Sequence, residues 1–328
     1  MSISTWKPAQ SSLTNFSVRG MINKHQGKDK VVVVLGATGT GKSRLAIDLA
    51  TRFGAEVINS DKIQVYKGLD IVTNKVSNEE CRGVPHHLLG IIDPEVDFTV
   101  HDFVHHALLV VDAIVQKNRL PIIAGVLLSW MDVAIPVLHS YVSKRVDQMV
   151  DSGLVEEGKA FFDPRVRDYD YGIRRAIGVP EMDEFFRSEG LVDGETRAKL
   201  LKAAINEIKT NTCKLACRQV EKILKMREEF GWHIHRLNAT EVFLRRGGDA
   251  EDAWERLVLE PSTNIVARFI CKGNIDPKPT ITTPSNAISI ATTKLGIRRF
   301  LVSFRVLALS IWNDHYASFM IHMFMNPV

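Results

Sequence analysis

The chain has 328 residues, a length that accommodates two domains or one large α/β domain with an insertion. Its 45% hydrophobic and 24% charged residues are typical of a globular protein, and its four cysteines show none of the paired spacing of a zinc site. The net charge of +4 belongs to the ends, because residues 1–28 carry +4, residues 262–328 carry +5 and residues 29–261 therefore carry −5. This acidic body argues against a broad nucleic-acid-binding face.

The two ends of the chain differ from its body in composition. Residues 1–28 are rich in Ser and basic side chains and contain no acid, which is the composition of an organelle transit peptide. We therefore expect a leader that directs the protein to the plastid, with the mitochondrion or the cytoplasm as alternatives. Residues 262–328 are expected to form an atypical, largely disordered tail. Its apolar stretch at 300–312 is too short to cross a bilayer, so no membrane span is expected.

The first half of the body alternates between strand and helix patterns. An unbroken β-branched run and a later apolar run before a glycine indicate buried strands, whereas stripes of apolar residues indicate helices. In chain order we predict a strand at 31–35, a helix at 43–53, a strand at 55–59, an apolar run at 88–92, a helix at 98–117 and a strand at 121–124. This alternation predicts a parallel α/β sheet flanked by helices, and we assign residues 29–135 to this core.

The second half of the body is predicted to be helical. Apolar stripes indicate helices at 137–150, 181–188 and 195–230. We assign residues 136–261 to a helical subdomain that returns to the core. Cys213 and Cys217, which lie four residues apart on the long helix, are expected to pack inside this subdomain.

A P-loop motif follows the first predicted strand. Residues 36–43 fit the pattern G-x-x-x-x-G-K-[ST] and are Gly36, Ala37, Thr38, Gly39, Thr40, Gly41, Lys42 and Ser43. Glycines let successive backbone amides converge on phosphate oxygens, and the start of the next helix adds its positive end. Lys42 supplies a point charge to the phosphate and Ser43 a hydroxyl to Mg²⁺. The motif predicts a phosphate site of the P-loop NTPase type without specifying the reaction.

Asp61 is the first acidic residue beyond the second predicted strand. At this edge of a parallel sheet a carboxylate can bind Mg²⁺, act as a base or cap the next helix, and its position alone leaves these roles open.

Six motifs in collinear order resemble plant adenylate isopentenyltransferases, the cytokinin-forming enzymes. The first contains Val-Ile-Asn-Ser-Asp, and another is Asn-Thr-Cys-Lys-Leu-Ala-Cys-Arg-Gln. The motifs lie at residues 57–75, 83–90, 143–147, 172–181, 211–219 and 239–247. Six motifs in order are far more specific than a P-loop alone.

The resemblance implies a prenyl transfer from dimethylallyl diphosphate to N6 of ATP, ADP or AMP. In this family the P-loop holds the diphosphate with Mg²⁺ on Ser43, and Asp61 matches the general base. Lys214 and Arg218 match a cationic arm on the diphosphate. The resemblance gives weaker assignments near the acceptor nucleotide to Ser60, Thr73, Lys75 and Arg145.

Three alternatives to this function remain. A tRNA dimethylallyltransferase is disfavoured because the chain has no zinc-finger cysteine pair and an acidic body. A P-loop kinase of small metabolites would use the same loop. An inactive relative would bind nucleotide only. The protein is expected to act as a monomer, without tRNA as a partner.

The chain departs from the family after Gly125. There the family continues with a Gly-Ser turn and a helix, whereas this chain passes directly to Val126 and a second strand-like segment. A parallel crossover normally needs a dozen or more residues. We therefore expect either that the segment from Val126 extends the preceding strand or that one strand is displaced, with impaired activity as a consequence.

Overall fold

The computed structural model describes residues 30–125, 129–229 and 234–271. The expected leader at 1–28, the tail beyond Cys271 and the apolar stretch at 300–312 lie outside these residues.

A six-stranded parallel sheet forms the centre of the described structure, in the order β3-β2-β4-β1-β5-β6. The strands are β1 (Val32–Gly36), β2 (Glu56–Asn59), β3 (His86–His87), β4 (Pro121–Ala124), β5 (Ser129–Asp132) and β6 (His235–Asn238). The predicted α/β fold with a parallel sheet is confirmed. The apolar run at 88–92 contributes only an isolated bridge between Ile92 and Tyr66, because pairing with β2 occurs at the two preceding histidines.

Helices flank the sheet and make up most of the second half of the chain. They are α1 (Lys42–Phe53), α2 (Asn78–Cys81), α3 (Val100–Gln116), α4 (Ile135–Asp151), α5 (Leu154–Phe161), α6 (Asp183–Arg187), α7 (Gly194–Glu229), α8 (Thr240–Leu244), α9 (Gly248–Trp254) and α10 (Glu260–Cys271). Short 3₁₀ turns lie at Gly172–Arg175 and Pro180–Met182, and a π-helical turn at Glu255–Leu259 joins α9 to α10.

Local sequence explains where the main helices begin. Thr99 and Asp102 form a reciprocal capping box at the start of α3, which satisfies two amides that have no intrahelical partner. Proline stands in the first turn of α4, where its missing N–H costs nothing. The predicted long helix is confirmed as α7, which spans 36 residues and packs against α4.

The core lies on both faces of the sheet, because alternate residues of a strand point to opposite sides. Val33 and Leu35 of β1 pack on the side of α3 and α7. Val32 and Val34 pack on the side of α1, together with Trp254. Since β1 is buried on both faces, its sequence is continuously apolar rather than alternating.

The junction after Gly125 differs from both expectations. β4 and β5 are separate strands that flank β1, and both remain in the sheet. Val34 pairs with Ala124 on one side and with Ser129 on the other, so β5 begins level with the end of β4. Ala124 and Ser129 therefore lie two strand spacings apart, about 10 Å. Five Cα–Cα steps can span about 17 Å, so no crossover helix is required.

The chain returns to the sheet after the helical region. β6 pairs with β5 through Asp132 and Asn238, and α10 packs against α1. Residues 262–271, which the sequence analysis placed in the tail, belong to α10. Across the described ranges, no helix combines the length and apolar character needed to cross a membrane.

Candidate active site

The P-loop joins β1 to α1 and is stabilised by its own side chains. Thr40 Oγ1 and Lys42 Nζ both donate to the carbonyl of Ala37, each at 2.8 Å. Gly39 has φ +84°, and a Cβ there would lie 2.8 Å from Val142 of α4. Glycine is therefore required both by the backbone conformation and by the close approach of α4.

Helices from the second half of the chain hold the loop from outside. Arg145 Nη2 of α4 donates to Thr38 Oγ1 at 3.0 Å, and the Thr38 amide donates to Gln219 Oε1 of α7 at 2.7 Å. Sequence reasoning missed Gln219 as a site residue, although it is the last residue of the 211–219 motif. A loop fixed at Thr38 by two helices is preorganised for a ligand.

A cavity of about 720 Å³ opens in front of the P-loop. It brings together five of the predicted site side chains, from the loop, the end of β2, the following segment and α4. These are Lys42, Ser43, Asp61, Lys75 and Arg145, with Gly39 and Gly41 contributing backbone. The predicted residues from separate motifs thus converge on one cavity.

Asp61 stands exposed at the cavity and also closes a turn. Its Oδ1 accepts a hydrogen bond from the amide of Ile63 at 2.9 Å, and its own amide donates to Asn59 Oδ1 at 3.2 Å. Residues 62–65 form a turn, so Asp61 does not cap a helix, and its carboxylate instead stabilises this turn. Because this contact engages one carboxylate oxygen, it orients the group in the cavity.

Two enclosed cations give the cavity its electrostatic character. Burial lowers the pKa of Lys42 to about 8; Asp61 opposes the shift and Arg145 adds to it. Burial likewise lowers the pKa of Arg145, against the opposing charges of Tyr141 and Asp61. Arg145 Nε is buried and has no hydrogen-bond partner among the described residues. An anion entering here would stabilise both charges, so the site suits a phosphate or diphosphate.

The other residues assigned near the acceptor are held by the protein itself. Lys75, whose side chain is 6% exposed, pairs with Asp70 at 2.7 Å. Thr73 Oγ1 donates to the carbonyl of Leu69 at 2.7 Å, and Ser60 Oγ donates to that of Ala124, also at 2.7 Å. Ser60 and Thr73 do not line the cavity.

Gly125 is fixed by its contact with Ser60. It has φ +151°, and a Cβ would lie 1.6 Å from Ser60 Oγ. The end of β4 therefore packs directly against the segment that carries Asp61. Only glycine allows this approach.

Lys214 and Arg218 lie outside the P-loop cavity. They line a second groove, of about 590 Å³, together with His139 and Cys217. We call this the α4–α7 groove. Both cations are exposed, and Gln219, the residue after Arg218, contacts the P-loop. The structure does not bring them into the P-loop cavity. Cys213 and Cys217 are half-buried on α7 and line this groove, and Cys213 also packs against the hydrophobic core.

A polar cluster on the cavity wall gave no signal in the sequence. The buried Asp48 of α1 accepts a hydrogen bond from Trp254 Nε1 at 2.8 Å and contacts Arg82 and Arg44. These residues are distant in sequence, and only the packing of the segment around Trp254 against α1 brings them together.

The side chains at the cavity can bind Mg²⁺ only as one or two protein ligands, with substrate and water completing the coordination shell. No group of three or more acidic, histidine or cysteine side chains in the described ranges can hold a metal ion. Ser43 is exposed, and Asp61 lines the same cavity. Mg²⁺ commonly binds to one or two protein oxygens and completes its shell with substrate phosphates and water. These two residues fit that arrangement.

Two family models match the chain. The one described as IPP transferase matches residues 64–125 and 126–224, and the one described as isopentenyl transferase matches residues 29–90. The two IPP transferase segments meet at Gly125 and Val126, where the sequence analysis places the missing turn.

Curated plant proteins match most of the chain. Adenylate isopentenyltransferase 5 of Arabidopsis thaliana, a chloroplastic protein, is 57% identical over 74% of this chain and 81% of its own length. Adenylate isopentenyltransferase 3, also chloroplastic, is 51% identical over 76% of this chain and 81% of its own length. The mitochondrial adenylate isopentenyltransferase 7 is 49% identical over 75% of this chain and 82% of its own length.

Solved structures show the same fold at low identity. A eukaryotic dimethylallyltransferase acting on tRNA superposes with a TM-score of 0.64 at 22% identity, covering 74% of this chain and 80% of its own. The tRNA isopentenylpyrophosphate transferase of Bacillus halodurans superposes with a TM-score of 0.61 at 24% identity, covering 74% and 97%. At such identities the likeness concerns the fold alone.

Proposed function

Because the chain belongs to the isopentenyl transferase family, we propose that it transfers the dimethylallyl group of dimethylallyl diphosphate to N6 of ATP, ADP or AMP, in cytokinin biosynthesis. The observation that carries the proposal is the meeting of Asp61 with the P-loop, Lys42 and Arg145 in one cavity. A diphosphate at the loop would neutralise the enclosed cations and leave the carboxylate facing the acceptor.

The proposed reaction joins two substrates and releases diphosphate. The N6 amine attacks the allylic C1 of the donor, the C1–O bond breaks, and the N6 proton passes to Asp61. An exocyclic adenine amine is a weak nucleophile, so positioning and proton acceptance both contribute to the rate. Asp61 is already oriented by the amide of Ile63, which supports its role as the base.

Stabilisation of the leaving group is assigned to the P-loop. Negative charge develops on the diphosphate as the bond to C1 breaks, and cations and amides aimed at that charge lower the barrier. Lys42 and Arg145 are the enclosed cations. Mg²⁺ held by Ser43, with Asp61 in reach of its shell, would supply further charge neutralisation when bound.

Lys214 and Arg218 are proposed to act on the same diphosphate from the α4–α7 groove. They lie beside Gln219, which contacts the P-loop amide of Thr38. Their separation from the P-loop cavity makes their contribution smaller than that of Lys42.

A free nucleotide is the acceptor we favour over tRNA. The body of the chain carries a net −5, and the curated relatives that cover most of it bear the name adenylate isopentenyltransferase. We further propose that the protein acts in an organelle, the plastid, because two of the three relatives described above are chloroplastic and the third is mitochondrial. We also propose that it acts as a monomer.

A product assay tests this function. The full chain is incubated with dimethylallyl diphosphate, Mg²⁺ and ATP, ADP or AMP in separate reactions, and N6-prenylated nucleotide is measured by mass spectrometry. We expect product with at least one nucleotide, and none when a transfer RNA is the acceptor. Efficient prenylation of tRNA alone would overturn the free-nucleotide assignment.

Two further readouts separate the remaining alternatives. A kinase would transfer the labelled γ-phosphate of ATP to an alcohol and would form no prenylated product. An inactive relative would bind nucleotide, measured by calorimetry, without turnover with any acceptor. Either result contradicts the proposed transfer.

A further inference from the structure

A histidine and a cysteine meet in the α4–α7 groove. His139 of α4 and Cys217 of α7 approach each other, with Nε2 at 3.2 Å from Sγ. An imidazole in hydrogen-bond contact with a thiol can take its proton and leave a thiolate, which is the nucleophilic form of cysteine. The proposed prenyl transfer makes no use of this pair.

Two other cysteines differ from Cys217. Cys81 Sγ lies 4.0 Å from His86 Nε2, a longer contact than the 3.2 Å between Cys217 and His139. Burial raises the pKa of Cys213, partly offset by a hydrogen bond to Ser143. Burial also raises the pKa of Cys81, and the charge of Glu80 adds to the shift. Thiols with raised pKa values keep their protons and react slowly, so these two residues serve as internal comparisons for Cys217.

The groove around Cys217 is open and mainly cationic. The groove has a volume of about 590 Å³, which is the size of a small-molecule site. Lys214 and Arg218 flank Cys217 in sequence and are exposed. Lys209 also lines the groove but is paired with Asp147 at 2.5 Å, and Glu221 is the acidic residue of the lining. A small anionic molecule is therefore the best electrostatic match to the unpaired part of the groove.

We propose that Cys217 is a modification site that forms a mixed disulfide with a small anionic disulfide of the glutathione class. The Cys217 thiolate attacks one sulfur of the disulfide, a new S–S bond forms, and the original S–S bond breaks. The released half leaves as a thiolate and takes the proton held by His139. Cys217 is oxidised and the incoming disulfide is reduced, so no other oxidant is required.

Cys213 does not resolve the adduct. Residues four apart on a helix have Cβ atoms about 5–6 Å apart, whereas a disulfide needs about 3.5–4.5 Å. An internal bridge would require α7 to unwind at its contact with α4. The mixed disulfide is therefore the end point until an external thiol removes it.

The adduct would fill the groove beside Lys214 and Arg218. It would screen these cations and alter the packing next to Gln219, and so weaken donor binding. This consequence rests on the proposed function, whereas the modification itself does not.

The direct test is peptide mapping of the full chain after exposure to oxidised glutathione. We expect Cys217 to be modified about 10-fold or more faster than Cys81 and Cys213, and to react faster with oxidised glutathione than with the cationic disulfide cystamine. Preferential modification of Cys213 or Cys81, an internal Cys213–Cys217 bridge, or equal rates with both probes would overturn the proposal. Because the readout is mass, it is independent of whether the protein transfers a prenyl group.

The role of His139 is tested by the variant His139→Gln, with Ser143→Ala as a control on the same helix. The charged and titratable groups that face the pair come from α4 and α7: Asp147, Lys209, Cys213, Lys214, Arg218 and Glu221. In His139→Gln we expect Cys217 to react about 10-fold more slowly at neutral pH. The reaction rate should then rise with pH as it does for an ordinary thiol, whose pKa is about 8.5. An unchanged rate and pH profile in a variant with an unchanged melting temperature would contradict the pairing. If the variant fails to fold, the mapping of the parent chain still decides.

Discussion

The P-loop cavity and the α4–α7 groove carry similar cations in different surroundings. Lys42 and Arg145 are enclosed, and their pKa values are lowered by burial. Lys214 and Arg218 are exposed, four residues apart on one helix face. Water screens an exposed charge strongly, whereas a partly buried charge is screened less and therefore acts more strongly on a ligand. The comparison assigns the main electrostatic work to the P-loop cavity and a secondary role to the groove.

The largest effect is expected at Asp61, the proposed base. Asp61→Asn keeps the shape but removes proton acceptance, and we expect kcat to fall by about 10²–10⁴-fold. Asp93→Asn is the matched control, since Asp93 is an exposed acid paired with Lys67 away from the cavity. Steady-state kinetics of both variants make the comparison. If both variants lose activity equally, or neither does, Asp61 is not the base.

Lys42 is expected to support catalysis and to destabilise the fold. Lys42→Met should lower kcat/KM by about 10²-fold or more, because the cation meets charge that develops on the diphosphate. It should also raise the free energy of unfolding at neutral pH, by about 1–3 kcal/mol, because a lysine with a lowered pKa is costly to keep protonated in the folded state.

The pH dependence of the Lys42 effect has a defined sign. Below about pH 8 the lysine is protonated in both states and its burial destabilises the fold; between about 8 and 10.5 the folded state alone loses the proton, so stability rises with pH. The advantage of Lys42→Met should therefore disappear as the pH approaches 10.5. In the free parent enzyme the donor KM should rise as the pH passes 8. Denaturation and kinetics across pH 6–10 check both, and a pH-independent stability difference would contradict the burial of this charge.

Arg145 is expected to have an intermediate effect, mainly on donor binding. It holds Thr38 and carries a buried Nε without a partner among the described residues. Arg145→Gln should raise the donor KM by about 10-fold. Lys144→Gln, the exposed neighbour on the same helix, is the control. Equal KM values for both variants would remove Arg145 from the site.

The smallest effect is expected from the groove. Lys214→Gln and Arg218→Gln should each raise the donor KM only about 2–5-fold, and more salt should reduce the difference from the parent. Competition kinetics at two ionic strengths measure this. A loss of kcat/KM as large as that of Lys42→Met would mean that the exposed cations reach the diphosphate directly. The P-loop cavity and the α4–α7 groove would then act as one site.

Sequence by itself determined the features that depend on local pattern. The β-branched run of β1, the glycine spacing of the P-loop and the apolar stripe of α7 predicted their elements closely, because backbone sterics and periodic burial act over neighbouring residues. The six motifs likewise indicated the family, and three of the residues that they supplied, Asp61, Lys75 and Arg145, line the P-loop cavity.

Only the tertiary structure decided the features that depend on distant packing. The register of β4 and β5 on opposite sides of β1 made the short junction at Gly125 possible, which rules on connection length could not anticipate. The contact of Gln219 with Thr38 and the partition of Lys214 and Arg218 into a separate groove follow from how α7 packs beside the loop. Such placement depends on the orientation of whole helices, which no short stretch of sequence encodes.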